Sequence, residues 1–184
     1  MAKVSVVDIG DEIVFAVYQD RLVKFYKMAF GESPWNEVFE TREVQVWFKE
    51  MMDCPGKIIL GIFLEQKLVG ATFCVDFELN HDAWGFLPTQ IKKEEVIYLA
   101  ESFIDPAYQG MGLGAILHDA RLRIARSRGY KYALQRTSEQ SGMYSLICKT
   151  GFTEIGRQMV VSLKFIKGVI KEYSDERIIS LKKL

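Results

Sequence analysis

The stretch "VIYLAESFIDPAYQGMGLGAILHDA", residues 96–120, joins a near-continuous apolar run to a helix-forming one through a segment with glycine at positions 110, 112 and 114. The β-branched and aromatic residues of 96–104 predict a strand buried on both faces. Leu113, Ile116, Leu117, Ala120 and Ile124 recur at helical spacing and predict a helix that runs to about Arg128. Glycine costs roughly 1 kcal/mol inside a helix, so three of them at the entrance of a good one need a reason.

Two readings of the glycines compete. Gly110-x-Gly112-x-x-Ala115 fits the dinucleotide fingerprint, between a strand and a helix as that motif requires. Against it, "DPAYQ" separates the strand from the first glycine. The next predicted strand, "YKYALQRT" over 130–137, also ends without the acid that would hold a ribose. The other pattern is Q/R-x-x-G-x-G/A, met by Gln109, Gly112 and Gly114. Its physics is that of an anion nest, in which N–H groups at a helix N-terminus converge on a phosphate that bare backbone lets come close.

Outward from this segment, strands 96–104 and 130–137 enclose one helix and should therefore lie parallel. "KVSVVDI", 3–9, predicts a first strand, and Phe15, Tyr18, Leu22, Phe25, Tyr26 and Ala29 an amphipathic helix over 11–30. "GESPWNEVFE" interrupts it, Thr41 caps a second helix with the stripe Val44, Trp47, Phe48 and Met51, and "DCPG" stops that helix. Residues 58–64 and 67–77 predict a hairpin around Glu65-Gln66, 78–95 an irregular connection, 142–150 a short helix, and Phe152 onward a strand. "RIISLKKL" predicts the last strand. Without repeats or a linker, residues 1–184 read as a single α/β domain.

Composition narrows the class. Lys plus Arg equals Asp plus Glu at 24 each, which removes the footprint of a general nucleic-acid binder. Arg121, Arg123, Arg126 and Arg128 read as a solvated face that complements the helix dipole. Cys54, Cys74 and Cys148 lack metal-ligand spacing and read as buried, reduced thiols of a cytoplasmic protein. His81 and His118 lie on different elements, so no metal is expected. No run reaches the length of a membrane span, and no membrane partner is expected. Nothing in the sequence decides between a monomer and a homodimer.

"FIDPAYQGMGLG", the downstream "KTGFTEIGR" and the order of elements from residue 3 to 184 resemble the GNAT superfamily of acyl-coenzyme A-dependent N-acyltransferases. The resemblance implies a mixed, splayed sheet of about seven strands with about four helices, and acetyl-CoA as acyl donor, entering between strands 96–104 and 130–137. It implies main-chain contacts along Ser102, Phe103 and Ile104, with phosphate contacts at Gln109, Gly110, Met111, Gly112, Leu113, Gly114 and Ala115. Gln140, where relatives often have asparagine, is a further coenzyme contact by the same token. An N–H near Ser102 would point at the thioester carbonyl, where one donor is worth roughly 3 to 4 kcal/mol in the transition state.

A pantetheine arm along a strand edge also makes physical sense, because that edge has N–H and C=O groups to satisfy. Attack on a thioester needs a neutral amine, and an amine of pKa near 10.4 is about 2,500-fold protonated at pH 7. Glu101 is the favoured base, since a carboxylate in "YLAESFI" must be desolvated or paired. The alternative is a strand carboxylate that faces solvent or an arginine; Asp76, Glu78 and Tyr98 are further candidates. Relatives often place a general-acid tyrosine where this chain has Ile147; Tyr144, one turn earlier, is the substitute to examine. Trp35 and Trp84, with Glu32 or Glu37, would wall a site for a small-molecule or peptide amine. The reading is an N-acetyltransferase, with a catalytically weakened acyl-CoA-binding sensor or partner subunit as alternative.

Overall fold

The computed structural model describes residues 3–76 and 81–184. Its centre is a seven-stranded sheet in the order β1-β2-β3-β4-β5-β7-β6. The strands are β1 (Val4–Asp8), β2 (Ile58–Leu64), β3 (Lys67–Asp76), β4 (Val96–Ile104), β5 (Tyr132–Thr137), β6 (Thr153–Ile166) and β7 (Val169–Lys183). Among the described residues only β4 and β5 pair in parallel, as the strand-helix-strand unit demands. The mixed sheet and four helices are those implied by the resemblance.

Helices α1 (Glu12–Gly31) and α2 (Thr41–Asp53) cover one face, and α3 (Leu113–Ser127) packs on the other. A short α4 (Gly142–Lys149) follows β5. Asp11 starts α1 by accepting the N–H groups of Ile13 and Val14 at 3.0 and 3.1 Å. Thr41 does not cap α2. Glu40 does, in a reciprocal box with Glu43, and the Thr41 hydroxyl instead accepts from Lys27 Nζ at 3.1 Å.

Residues of β2 to β4 alternate between two cores. Phe73 and Phe103 face α1 and α2, where Phe73 stacks on Phe48 at 4.7 Å between ring centroids. Leu60, Ile62 and Leu99 face Leu113 and Leu117 of α3. This double burial explains why these strands read as continuous apolar runs.

The C-terminal part departs most from expectation. β7 begins at Val169, eight residues before "RIISLKKL", and forms a long hairpin with β6 through Lys167 and Gly168, both at positive φ. Met159, Val161, Leu163 and Phe165 form an exposed row on β6, so the usual polar-out alternation is inverted along the strand expected from Phe152. The connection from α1 to α2 lies on the outer edge of this hairpin. Val38 N–H donates to Leu163 O at 2.9 Å, and Phe165 N–H to Asn36 O at 2.8 Å.

Two charge and thiol expectations need correction. Arg123 and Arg128 are exposed and paired with acids, but Arg121 is completely buried. It points inward because residue 121 falls on the same helical stripe as Leu117 and Ala125. Cys54 and Cys74 are buried, whereas Cys148 lies on the exposed side of α4. No helix among the described residues is long and apolar enough to cross a membrane.

Candidate functional site

β4 and β5 pair only from Val96–Tyr98 to Tyr132–Leu134 and then diverge. The parting coincides with an extra residue in β4: Phe73 opposes Glu101, yet Val75 opposes Tyr98. Such a bulge bends and twists its strand, which turns the end of β4 away from β5. Asp105 N–H donates to Val69 O at 2.8 Å. By the antiparallel alternation, the main-chain groups of Glu101 and Phe103 therefore face β3, and those of Ser102 and Ile104 face the gap. Gln109 Nε2 occupies the Ile104 carbonyl at 3.2 Å; the Ser102 N–H lies past the last residues that pair with β5.

Beyond Ile104 the chain turns over Pro106–Tyr108, started by the Asp105 carboxylate, which accepts Ala107 N–H at 3.1 Å. Gly110 and Gly112 both have φ of 77°, a conformation that L side chains rarely adopt, so glycine is required there by the backbone. Gly114 has ordinary helical geometry, and a Cβ on it would meet nothing within 4 Å. Its absence of a side chain matters only for something outside the chain. Gly112 begins α3 without a side-chain cap, and its carbonyl takes the Ala115 and Ile116 N–H groups at 3.1 and 3.3 Å. The N–H groups of Leu113 and Gly114 are left at the mouth of the gap, where the helix dipole favours an anion.

These elements line a cleft of about 440 Å³. Its walls include Ser102, Phe103, Ile104, Gln109, Gly110, Gly112, Leu113, Gly114 and Ala115, with α4 opposite and Phe30, Glu32 and Trp35 at the far end. Met111 and Gln140 are not among the lining residues; Met111 is exposed, and Gln140 N–H turns to Ser138 Oγ at 3.3 Å. Other hollows are as large, including one of about 560 Å³ around Gly56, Asp76 and Tyr130, but this one offers no open strand edge.

Glu101 stands on the opposite face of β4 from Ser102. Its carboxylate accepts Trp47 Nε1–H at 3.0 Å and is also bonded to the Tyr26 side chain. Burial raises its pKa to about 7 against these bonds and the nearby positive charge of Arg136. A hollow of about 350 Å³ opens beside it, lined by Tyr26, Glu37, Phe39, Glu43, Trp47 and Leu163. Tyr26 and Trp47 belong to apolar helix stripes, which conceal their bonds to Glu101 in the sequence. The available signal was that a buried phenol or indole must find a partner for its polar atom.

The other candidates are placed elsewhere. Asp76 accepts from Gly56 N–H at 3.0 Å and Tyr130 Oη at 2.7 Å, away from the cleft. Tyr98 is buried at the pairing end of β4. Glu78 lies outside the described residues, as do the side chains of His81 and Trp84. Tyr144 does not line the cleft; its hydroxyl is bonded to Cys148, one turn along α4, and this contact raises its pKa. Ile147 is buried in its place. Glu37 is held by Arg177 at 2.6 Å, and that guanidinium lies 4.4 Å from the ring centre of Trp35. Trp35 and Glu32 line the cleft beside Ser102, whereas Glu37 lines the hollow beside Glu101.

Comparison with known proteins finds the same fold. The fold superposes on an N-acetyltransferase from Staphylococcus aureus Mu50 with a TM-score of 0.70 at 13% identity, covering 99% of each chain. It superposes on the ribosomal-protein-alanine N-acetyltransferase from Brucella melitensis with a TM-score of 0.68 at 17% identity, again over 99% of each. For yncA of Salmonella typhimurium, solved with its cofactor acetyl-CoA, the TM-score is 0.66 at 15% identity, over 100% of this chain and 94% of that one. No curated protein matches the sequence. The sequence model of the Acetyltransferase (GNAT) family matches residues 20–152, and the chain belongs to that family.

Proposed function

We propose that the protein is an N-acetyltransferase that moves the acetyl group of acetyl-CoA to a primary amine of a small molecule or peptide by direct attack on the thioester. The observation that carries this reading is the pairing of an open main-chain edge at Ser102 and Ile104 with a carboxylate of pKa about 7 one residue away, on the other side of the same strand.

The residues fit the coenzyme in two respects. Bare N–H groups at Leu113 and Gly114, after two glycines in left-handed conformation, suit a pyrophosphate. The edge groups of Ser102 and Ile104 suit the amides of pantetheine, as an added strand would. The acetyl thioester supplies the electrophilic carbonyl.

Glu101 takes the proton of the incoming ammonium. Against an amine pKa near 10.4 this obstacle is roughly 4 to 5 kcal/mol at pH 7, and a base poised near 7 suits the task. The Ser102 N–H donates to the thioester carbonyl oxygen as negative charge grows there. Among the described residues one phenol, Tyr108, lines the cleft, and its hydroxyl accepts from Lys67 Nζ at 2.6 Å. A thiol of pKa near 8.5 leaves as thiolate at only about 2 kcal/mol at pH 7, so acetyl transfer proceeds without a general acid. The acceptor enters on the side of Glu101, Tyr26 and Trp47.

Titration of the protein with acetyl-CoA by calorimetry, followed by thiol release with polyamines, aminoglycosides, amino acids and peptides, tests the proposal. Saturable binding with turnover of at least one amine is expected; no binding at millimolar acetyl-CoA overturns it. The position of Tyr144 outside the cleft favours one second reading, a sensor that binds acetyl-CoA without turnover. Tight binding with no thiol release from any amine selects it.

A further inference from the structure

Arg121 of α3 is fully buried, and among the described residues no carboxylate bonds its guanidinium. Its Nη1 donates to Thr72 Oγ1 at 3.1 Å, and its Nη2 to Gln135 Oε1 at 3.0 Å. Nε and Nη2 both reach His118 Nδ1, at 3.2 and 2.7 Å, and Met143 Sδ lies 3.6 Å from Nη2. Arginine only donates, so His118 Nδ1 is the acceptor and its ring is neutral. Burial and the neighbouring cation push the His118 pKa down to about 3. Burial likewise pushes the Cys74 thiol up to about 11, so it supplies no counter-charge. The guanidinium cannot give up its proton and keeps an unneutralised charge inside the fold.

The destination of that charge is specific. Thr72 Oγ1, having accepted from Arg121, donates to the main-chain carbonyl of Glu101 at 2.7 Å. This carbonyl and the Ser102 N–H belong to one peptide unit. The carbonyl faces β3 and the N–H faces the gap. Electron density drawn toward the carbonyl oxygen leaves the N–H more positive, and successive hydrogen bonds polarise one another in a low-dielectric interior.

We propose that Arg121 and Thr72 form a relay that polarises the Glu101–Ser102 peptide, so that the Ser102 N–H becomes a stronger donor to the thioester carbonyl. Both are positioning residues: neither touches the coenzyme cleft, and they act through Ser102. The assignment rests on the acetyltransferase reading above for its target, but the relay itself exists in the free protein and is measurable there.

The test compares Thr72→Val, which keeps the shape and removes the hydroxyl, with Thr72→Ser, which restores it. In the free, nitrogen-15-labelled protein, Thr72→Val should move the Ser102 amide proton upfield, and Thr72→Ser should return it. With acetyl-CoA labelled at the carbonyl, the bound C=O stretch should rise in Thr72→Val toward that of the free thioester. Turnover should fall about tenfold while the acetyl-CoA dissociation constant stays within about twofold, with Thr72→Ser close to wild type. Arg121→Gln should shift the Ser102 amide the same way; if it fails to fold, the Thr72 pair still decides. An unchanged Ser102 shift and carbonyl frequency in Thr72→Val overturns the relay. So does a Thr72→Ser variant as impaired as Thr72→Val, since packing would then be the cause. Failure of wild type to bind acetyl-CoA overturns the functional reading instead, and the free-protein shift still judges the relay.

Discussion

At its α3 end the gap beside β4 offers main chain; on the α1 and α2 side it offers side chains. The α3 end is made by one continuous segment, 102–115, whose edge and N-terminal amides need only glycine at the tight points. The other side gathers Tyr26, Trp47 and Glu101 from three elements, with β6 closing the hollow next to them. Backbone groups bind any ligand of the right shape and charge, whereas a carboxylate between an indole and a phenol has a tuned proton affinity. On the proposed function, the difference separates holding a coenzyme from activating an acceptor.

Substitutions can break that division, and Glu101→Gln should do so most strongly. Turnover should fall by about two to four orders of magnitude with little change in acetyl-CoA affinity. Steady-state kinetics beside calorimetry check this, and equal losses in both would mean the two sides are not separate. The same variant bears on stability. A carboxyl of pKa about 7 in the fold and 4.5 when unfolded binds more protons folded, so its contribution to stability declines as pH rises from about 4.5 through about 7. Glu101→Gln should therefore melt above wild type at pH 8, by at most about 3 kcal/mol, and match it near pH 4.

Gly112→Val should act on the opposite side. Forcing a β-branched residue to a φ of 77° disturbs the start of α3, and acetyl-CoA affinity should drop about 10- to 30-fold. Calorimetry reads the loss, and wild-type affinity would remove the nest from the binding account. Trp47→Phe is a finer probe: it removes a hydrogen bond that favours the charged form of Glu101. The rising limb of the pH–rate profile, centred near 7 in wild type, should move up by about half to one unit. A limb that stays in place would detach it from Glu101. Tyr144→Phe should be the smallest, changing turnover by less than about twofold. A large loss would mean that α4 moves to bring the phenol into the cleft.

The same division governs what could be read before the fold was known. The α3 end was legible because its chemistry lies in one stretch, and a glycine spacing states both a backbone conformation and a void. Four helices, the central hairpin and the parallel unit were legible from helical spacing, β-prone runs, turn residues and the order of the elements. The side-chain end was only half legible. Glu101 stood out as a carboxylate in an apolar strand, but Tyr26 and Trp47 sit at helix positions that core packing also explains. Arg121 was misread, because a run of arginines near a helix end says nothing about which one turns inward. β7 was recognised only in its last residues, since its first half carries Lys171, Glu172, Asp175 and Glu176 among few apolar positions.

Arg177 gives the hairpin influence beyond its own strands. Anchored on β7, it grips Glu37 and sits over the ring of Trp35, so the connection between α1 and α2 is fastened to the C-terminal arm. Substitutions in that arm therefore reach the wall of the cleft through this clasp, however distant they lie in the chain. Editing the hairpin alone can thus alter that wall while the segment 102–115 stays as it is.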